Sequence, residues 1–362
     1  MKIGDPGDMN GENELPGGPS RRRLVEIALF AILIAGAVAA MPGLGDLRER
    51  LSGADPALIA VLAAVELASC LAFVLAFRGV FSRRLSWRFS YEVAMSEQAA
   101  NVLLPTGGAG GLALGAWALQ RIGMPAERIG RRTVAFFLIT SSINFVAVVV
   151  AGFGLATGVL PGQVALATAL IPAAGATLLI GGLVCAPRLL EHDGSAHGGR
   201  LRRAVVAGRG HLAAGIRDAI RLLGSGRPSV VLGAVGYMAL DVVALAIAFA
   251  ALGGGAPEAG AFLLAYTLGQ LGGLVPLPGG IGGTDGGLIV AFGLIGTPIA
   301  IAGAAVIAYR VFQLGVPAIL GLAAFAGLRR TLAGQERVEL AAVCEPGEPC
   351  FGASVALEPN PA

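Results

Sequence analysis

The sequence predicts an all-α integral membrane protein, a polytopic helical bundle with two broken, re-entrant helix pairs in an inverted-repeat arrangement. Three observations carry that prediction. Of 362 residues, 55% are hydrophobic and 14% charged, with a mean hydropathy of +0.76; soluble domains carry roughly 25% charged residues. The charges are also bunched, so that no Asp, Glu, Lys or Arg falls between Thr133 and Pro187. A run of about 18 apolar residues already crosses the roughly 30 Å of a bilayer's hydrocarbon core as a helix. Third, two Gly- and Pro-rich interruptions, near Pro105 and near Pro276, each break an apolar run in a similar way.

Read in order, residues 1–20 are rich in Gly, Pro, Asn and acids and form a disordered leader. Arg21, Arg22 and Arg23 precede the apolar run 24–41. That run also resembles a signal peptide ending at Ala37-Val38-Ala39, but the acidic leader and Glu26 favour a retained helix. A second span covers 56–77, followed by the basic loop of Arg78, Arg83, Arg84 and Arg88. Two short apolar stretches, 91–105 and 107–120, flank the first interruption, and Arg121, Arg128, Arg131 and Arg132 follow as another basic loop. Cytoplasmic loops carry the excess of Arg and Lys, so this broken segment is expected to enter and leave from the cytoplasm.

Spans at 133–160 and 164–186 come next, joined by the uncharged Pro161-Gly162-Gln163. The 187–228 loop carries eight Arg against three acids and reads as cytoplasmic. Within it Leu201, Val205, Leu212, Ile216 and Ile220 recur at helical spacing. This is a basic amphipathic helix, to lie on the membrane surface or to pack on the bundle. A span at 229–252, the apolar stretch 259–275, the second interruption, a short stretch at 287–295 and a last span at 298–328 follow. The membrane domain is thus 21–330, with a disordered tail at 331–362. Both termini come out cytoplasmic in a bacterial-type inner membrane.

The two interruptions match each other. Leu103-Leu104-Pro105-Thr106-Gly107-Gly108-Ala109-Gly110-Gly111 is echoed, with one residue inserted, by Leu274-Val275-Pro276-Leu277-Pro278-Gly279-Gly280-Ile281-Gly282-Gly283. By the Arg count the first dips in from the cytoplasm and the second from outside. Two broken helices of opposite orientation mark an inverted-repeat transporter. Pro ends the incoming half-helix and Gly lets the backbone turn. The restarting half-helix then presents amide groups and its positive dipole end, which attract phosphate or carboxylate. The competing reading is a kink or a close packing point with no ligand.

Ionisable residues inside apolar spans are expensive and tend to be functional. Glu66, Glu97, Asp241, Asp285 and Arg310 qualify. Glu97 and Asn101 lie one turn apart on one helix face. Thr284 or Asp285 is placed to cap the half-helix after the second break. Arg310 needs a partner, for which Asp285, Asp241 or a lipid phosphate would serve. Glu66 is expected to carry a proton or to pair with Arg310, or else to be a protonated carboxyl hydrogen-bonded between helices. No GxxxxGK[ST] loop is present, so the chain has no ATPase motif of its own, and no GxSxG or HExxH appears. His192, His197 and His211 fall in the basic loop. Cys70, Cys185, Cys344 and Cys350 show no zinc or redox spacing. The expectation is no enzyme, no cofactor, no metal and no nucleic-acid partner.

Asn101-Val102-Leu103-Leu104-Pro105 with its Gly-rich turn, Pro276-Leu277-Pro278-Gly279-Gly280-Ile281-Gly282 with Asp285, then Tyr309-Arg310 and Pro317, resemble the lysylphosphatidylglycerol-synthase transmembrane-region family, also called flippase-like, over about residues 22–330. The resemblance implies a membrane domain that moves lipids such as aminoacylated phosphatidylglycerol between leaflets. It departs where relatives carry Arg-x-Gly-Glu after the first break and this chain has Ala109-Gly110-Gly111-Leu112. It departs again in the next span, which has Phe137, Leu138 and Asn144 in place of charged residues. The large soluble aminoacyl-transferase domain of the full synthases is not seen in the sequence.

The expected function is therefore a lipid translocase working without its own ATPase. Lipid would bind at Glu97, Asn101, Pro105, Gly107, Gly108, Pro276, Pro278, Gly279, Gly280, Gly282, Asp285, Tyr309 and Arg310, with Glu66 and Asp241 for coupling. The alternatives are a secondary transporter of a small anion, or a scaffold for a lipid-modifying synthase encoded separately. The expected partners are membrane lipids and such a synthase; no oligomeric state is legible.

Overall fold

The structure, a computed structural model, describes residue 53 and residues 55–104, 108–190, 200–253, 255–274 and 280–333. The leader 1–20, the 24–41 run, the tail beyond 333, Cys344, Cys350 and the site residues Pro105, Gly107, Pro276, Pro278 and Gly279 lie outside them. The described elements are all helical. They are α1 (Pro56–Phe81), α2 (Trp87–Leu103), α3 (Ala109–Arg121), α4 (Ala126–Ala156), α5 (Leu166–Leu190), α6 (Arg200–Gly224), α7 (Pro228–Ala251), α8 (Ala259–Gly269), a 3-10 turn (Gln270–Leu274), α9 (Gly283–Leu294) and α10 (Ile299–Ala333).

Five of these, α1, α4, α5, α7 and α10, are long and apolar enough to cross a bilayer. Their outward faces carry large apolar side chains, among them Leu178 at 77% exposure, Ile171 at 71% and Ile319 at 71%. Water would penalise such a surface, whereas lipid tails are its natural solvent. The chain is a multi-pass membrane protein.

Glycines set how closely the spans approach. α1 and α7 run antiparallel. Asp55 N–H donates to the Ala251 carbonyl at 3.4 Å, Ser69 Oγ donates to the Tyr237 carbonyl at 3.3 Å, and Gly79 lies against Ser229 and Val230. Between these points Gly233 sits directly on the backbone of Ala72 and Ala76. Small residues that let two backbones touch are how membrane helices gain dispersion contact without a hydrophobic drive. α2 and α10 pair the same way, with Gly321 on the Met95 carbonyl and Thr331 Oγ1 donating to Glu92 Oε2 at 2.9 Å. α4 and α5 cross where Gly152 meets Ala169 and Ala173.

The helix boundaries differ from the expected ones where charge meets the bundle. Arg128, Arg131 and Arg132, expected in a loop, form the first turns of α4, and Arg128 and Arg132 are buried. The reason is Asp218 of α6, which faces Arg131 and Arg132 at 3.9 Å each and Arg221 at 3.4 Å. α6 forms within the basic loop as expected and packs on α4 and α5. Its buried stripe is Ala213, Ile216, Ala219 and Leu222, while Leu212 and Ile220 stay 43% exposed. The helix is rotated so that Asp218 reaches the arginines.

Gly233→Ala is expected to lower the melting temperature in detergent, because the new Cβ meets backbone of α1; overpacking of this kind costs about 1–3 kcal/mol. Gly175→Ala, whose Cβ meets nothing within 4 Å, is expected to leave it unchanged or raise it through helix propensity. Equal shifts would contradict the packing assignment.

Candidate functional site

Both interrupted segments fold as antiparallel helical hairpins. Their arms, from 11 residues in α8 to 17 in α2, reach about 17–25 Å at 1.5 Å per residue, short of a full crossing. In the first hairpin α2 ends as Leu104 N–H donates to the Ala100 carbonyl at 2.9 Å. α3 restarts after Gly108, whose φ of 89° is left-handed. Glu97 and Asn101 do share a face, and that face meets α3. Asn101 Oδ1 accepts the Gly111 N–H at 3.1 Å, and the buried Glu97 carboxyl occupies the space a side chain at Gly115 would need. Asn101 thus caps the third residue of the half-helix across the break, filling one of the amide positions otherwise open to an anion.

The second hairpin closes where Gly269 packs on Leu288 and Gly272 on Gly283. Gly280 (φ 67°) and Gly282 (φ 87°) carry the chain into α9, a conformation that costs a non-glycine residue energy. α9 begins four residues earlier than its apolar run suggested, placing Thr284 and Asp285 inside it. The N-cap is Gly282 rather than Thr284 or Asp285, and Asp285 at the third helical position reaches back to it while also meeting Arg310. Its Oδ2 accepts the Gly282 N–H at 2.8 Å, and its Oδ1 stands 2.6 Å from Arg310 Nε. Gly280 lies so close to the guanidinium that a Cβ there would be 3.6 Å from Arg310 Nη2.

Arg310 starts a chain of polar contacts that runs through the bundle. Its Nη1 donates to Gln313 Oε1. Gln313 Nε2 donates in turn to Asp241 Oδ2 at 2.9 Å. The same carboxylate oxygen accepts from Tyr309 Oη at 2.8 Å and Tyr266 Oη at 2.6 Å. Asp241 and both tyrosines are buried. Four helices, α7, α8, α9 and α10, therefore meet through one network, and three donors on one oxygen are what a buried carboxylate requires. Glu66 of α1 stands near Asp241 in the α1–α7 interface; it is 2% exposed, and its Oε2 accepts no hydrogen bond. It does not serve as the partner of Arg310 in the ion pair with Asp285.

The antiparallel register of α2 on α10, from Glu92 opposite Thr331 to Met95 opposite Gly321, carries the end of α2 toward the Arg310–Gln313 segment. Pro317 of α10 has no N–H, so the Gln313 carbonyl lacks its helical donor there. A cavity of about 480 Å³ lies between α4, α5, α6, the end of α8 and the 3-10 turn, a size typical of ligand pockets. Phe137, Leu183, Ile216 and Leu223 make it apolar, and Ser141, Ser142, Asn144, Thr267 and Gln270 are its polar points. Asn144 Oδ1 has no hydrogen-bond partner there.

Tyr266 and Gln313 escaped sequence reasoning because neither carries a charge near neutral pH. The available signal for Gln313 was its place one turn after Arg310. Glu92 was missed too; its salt bridge to Arg88 at 3.1 Å, four residues earlier, was legible in the spacing.

Compared with known proteins, residues 24–321 match the family described as Lysylphosphatidylglycerol synthase TM region. No curated protein matches the chain. If the network is a unit, Arg310→Ala and Asp285→Asn should be non-additive in thermal stability, with a coupling of about 0.5–3 kcal/mol in a double-mutant cycle. Additive effects would separate the pair from the fold.

Proposed function

This chain belongs to the lysylphosphatidylglycerol synthase TM region family, and we propose that within it the protein works as a lipid translocase. It carries an anionic or aminoacylated phospholipid between the leaflets of a bacterial-type inner membrane, with both termini in the cytoplasm. The observation that carries the reading is the Arg310–Asp285 pair at the opening of α9, held 2.6 Å apart beside Gly280 and Gly282. A guanidinium binds phosphate oxygens in the same forked geometry as a carboxylate. A headgroup phosphate arriving at the second break therefore competes with Asp285 for Arg310 and meets the first amides of α9, whose dipole favours the anion.

Glycines at 280 and 282 leave room for that approach, and Pro276, Pro278 and Gly279 precede them directly in the sequence. Tyr309 holds Asp241 and so keeps α10 in register with α7. The cavity beside the 3-10 turn offers an apolar lining for an acyl chain while the headgroup sits at Arg310. On the first hairpin, Glu97, Asn101 and Gly108, with Pro105 and Gly107 of the intervening sequence, would make the opposite half of an inverted repeat. There Asn101 already satisfies Gly111, so the second break takes the anion. Opposed hairpins that open in turn toward each leaflet would give alternating access. Movement is downhill or gradient-driven, since no ATP-binding loop occurs in the sequence. A separately encoded lipid-modifying synthase would supply the cargo.

Purified protein in vesicles containing fluorescent phosphatidylglycerol tests this directly. Wild type is expected to expose the probe to external quencher, and Arg310→Gln to slow that exchange by about ten-fold or more, the cost of one charged hydrogen bond of roughly 1.5–3 kcal/mol. No protein-dependent exchange across several headgroups would overturn the reading, and uptake of a soluble anion in its place would make the protein a small-anion transporter.

A further inference from the structure

Glu66 is the carboxyl group that the polar network leaves over. It lies within α1, the tightest partner of α7, and only 2% of it is exposed. Its Oε2 is buried and accepts no hydrogen bond. Among the described residues, the ionisable groups it faces are Asp241 and Tyr237 on α7 and Cys70 one turn further along α1. α10 brings Arg310 into the field of Asp241 and Tyr237, α2 sets Tyr91 beside Cys70, and α4 contributes the apolar ring of Phe136 against Phe73.

The charges do not balance without a proton. Three carboxyls, Glu66, Asp241 and Asp285, share this part of the bundle with the Arg310 guanidinium. Asp285 takes the ion pair and Asp241 takes three hydrogen-bond donors. Glu66 receives neither, and a bare carboxylate in that position would be an uncompensated buried charge next to another.

We propose that Glu66 is a proton-carrying carboxyl that couples lipid movement to a proton gradient, as a symport of one anionic headgroup with one proton. The proposal rests on the translocase reading. An anionic headgroup at Arg310 adds a negative charge to a cluster that already holds Asp241 and Asp285. Lipid binding therefore strengthens the hold of Glu66 on its proton, and by linkage a bound proton strengthens the hold on lipid. Only the O–H bond of Glu66 forms on the loading side and breaks on the releasing side, the proton passing to and from water.

The test uses the full chain in vesicles with fluorescent phosphatidylglycerol, a pH-sensitive dye in the lumen and an imposed pH gradient. Wild type is expected to move probe about five-fold faster or more down the proton gradient than without it, with matching acidification of the lumen. Glu66→Gln, which mimics the protonated group in shape, is expected to move probe at one rate with or without the gradient and to leave lumen pH flat. Glu66→Asp should keep a gradient response. A wild type that moves lipid with no gradient response overturns the coupling alone. A Glu66→Gln protein that still responds overturns the assignment to Glu66. Should Glu66→Gln fail to fold, lumen acidification by wild type and its retention in Glu66→Asp decide the matter. A wild type that moves no lipid removes the translocase reading and this proposal with it.

Discussion

A permanently charged guanidinium within an apolar helix has to be neutralised inside the protein, and the arrangement around Arg310 follows from that requirement. Asp285 supplies the counter-charge, Gln313 relays to Asp241, and Tyr266 and Tyr309 complete the shell of Asp241. Because these groups are spread over four helices, satisfying one charge fixes the mutual positions of α7, α8, α9 and α10. The contact that builds the bundle is, in the proposed function, also the contact a phosphate would replace, so stability and substrate recognition would share one ion pair. Such a pair is well suited to a moving part, since breaking it is costly only until another anion takes its place.

The glycines complement the charges. Gly233 and Gly321 bring long spans together, and Gly269 and Gly272 close the second hairpin on α9. At Gly280 and Gly282 the reason is different: a left-handed backbone brings the turn to the guanidinium. The first hairpin has a parallel feature in Gly108, whose φ of 89° matches the 87° of Gly282. Each restarting half-helix begins on a left-handed glycine, and each is capped by a side chain, Asn101 from the opposite arm in one and Asp285 from its own first turn in the other. The hairpins are thus alike in construction and unlike in charge, since the second carries an ion pair and the first an amide cap on an uncharged Gly-rich turn.

Much of this was legible because the bilayer simplifies the grammar of the chain. Long uncharged runs gave the spans, and Pro and Gly gave both breaks. The rarity of charge within apolar runs singled out Glu66, Asp241, Asp285 and Arg310, all of which the structure brings to neighbouring helices. What escaped were neutral partners and helix ends. Tyr266 and Gln313 look ordinary in sequence, and only tertiary proximity makes them donors to Asp241. Arg128, Arg131 and Arg132 read as a loop because Asp218, which draws two of them into α4's packing with α6, lies far along the chain. The start of α9 was misjudged because Gly283–Gly287 has no apolar face to announce a helix; its capping by Asp285 does that work.

The most direct measurement is a cryo-electron microscopy reconstruction in nanodiscs of phosphatidylglycerol. The account predicts phosphate density within hydrogen-bonding distance of the Arg310 guanidinium, with Asp285 drawn away from it and acyl-chain density entering the cavity beside Asn144. An intact Arg310–Asp285 pair with no lipid density at the second break, at a resolution that shows both side chains, would contradict it.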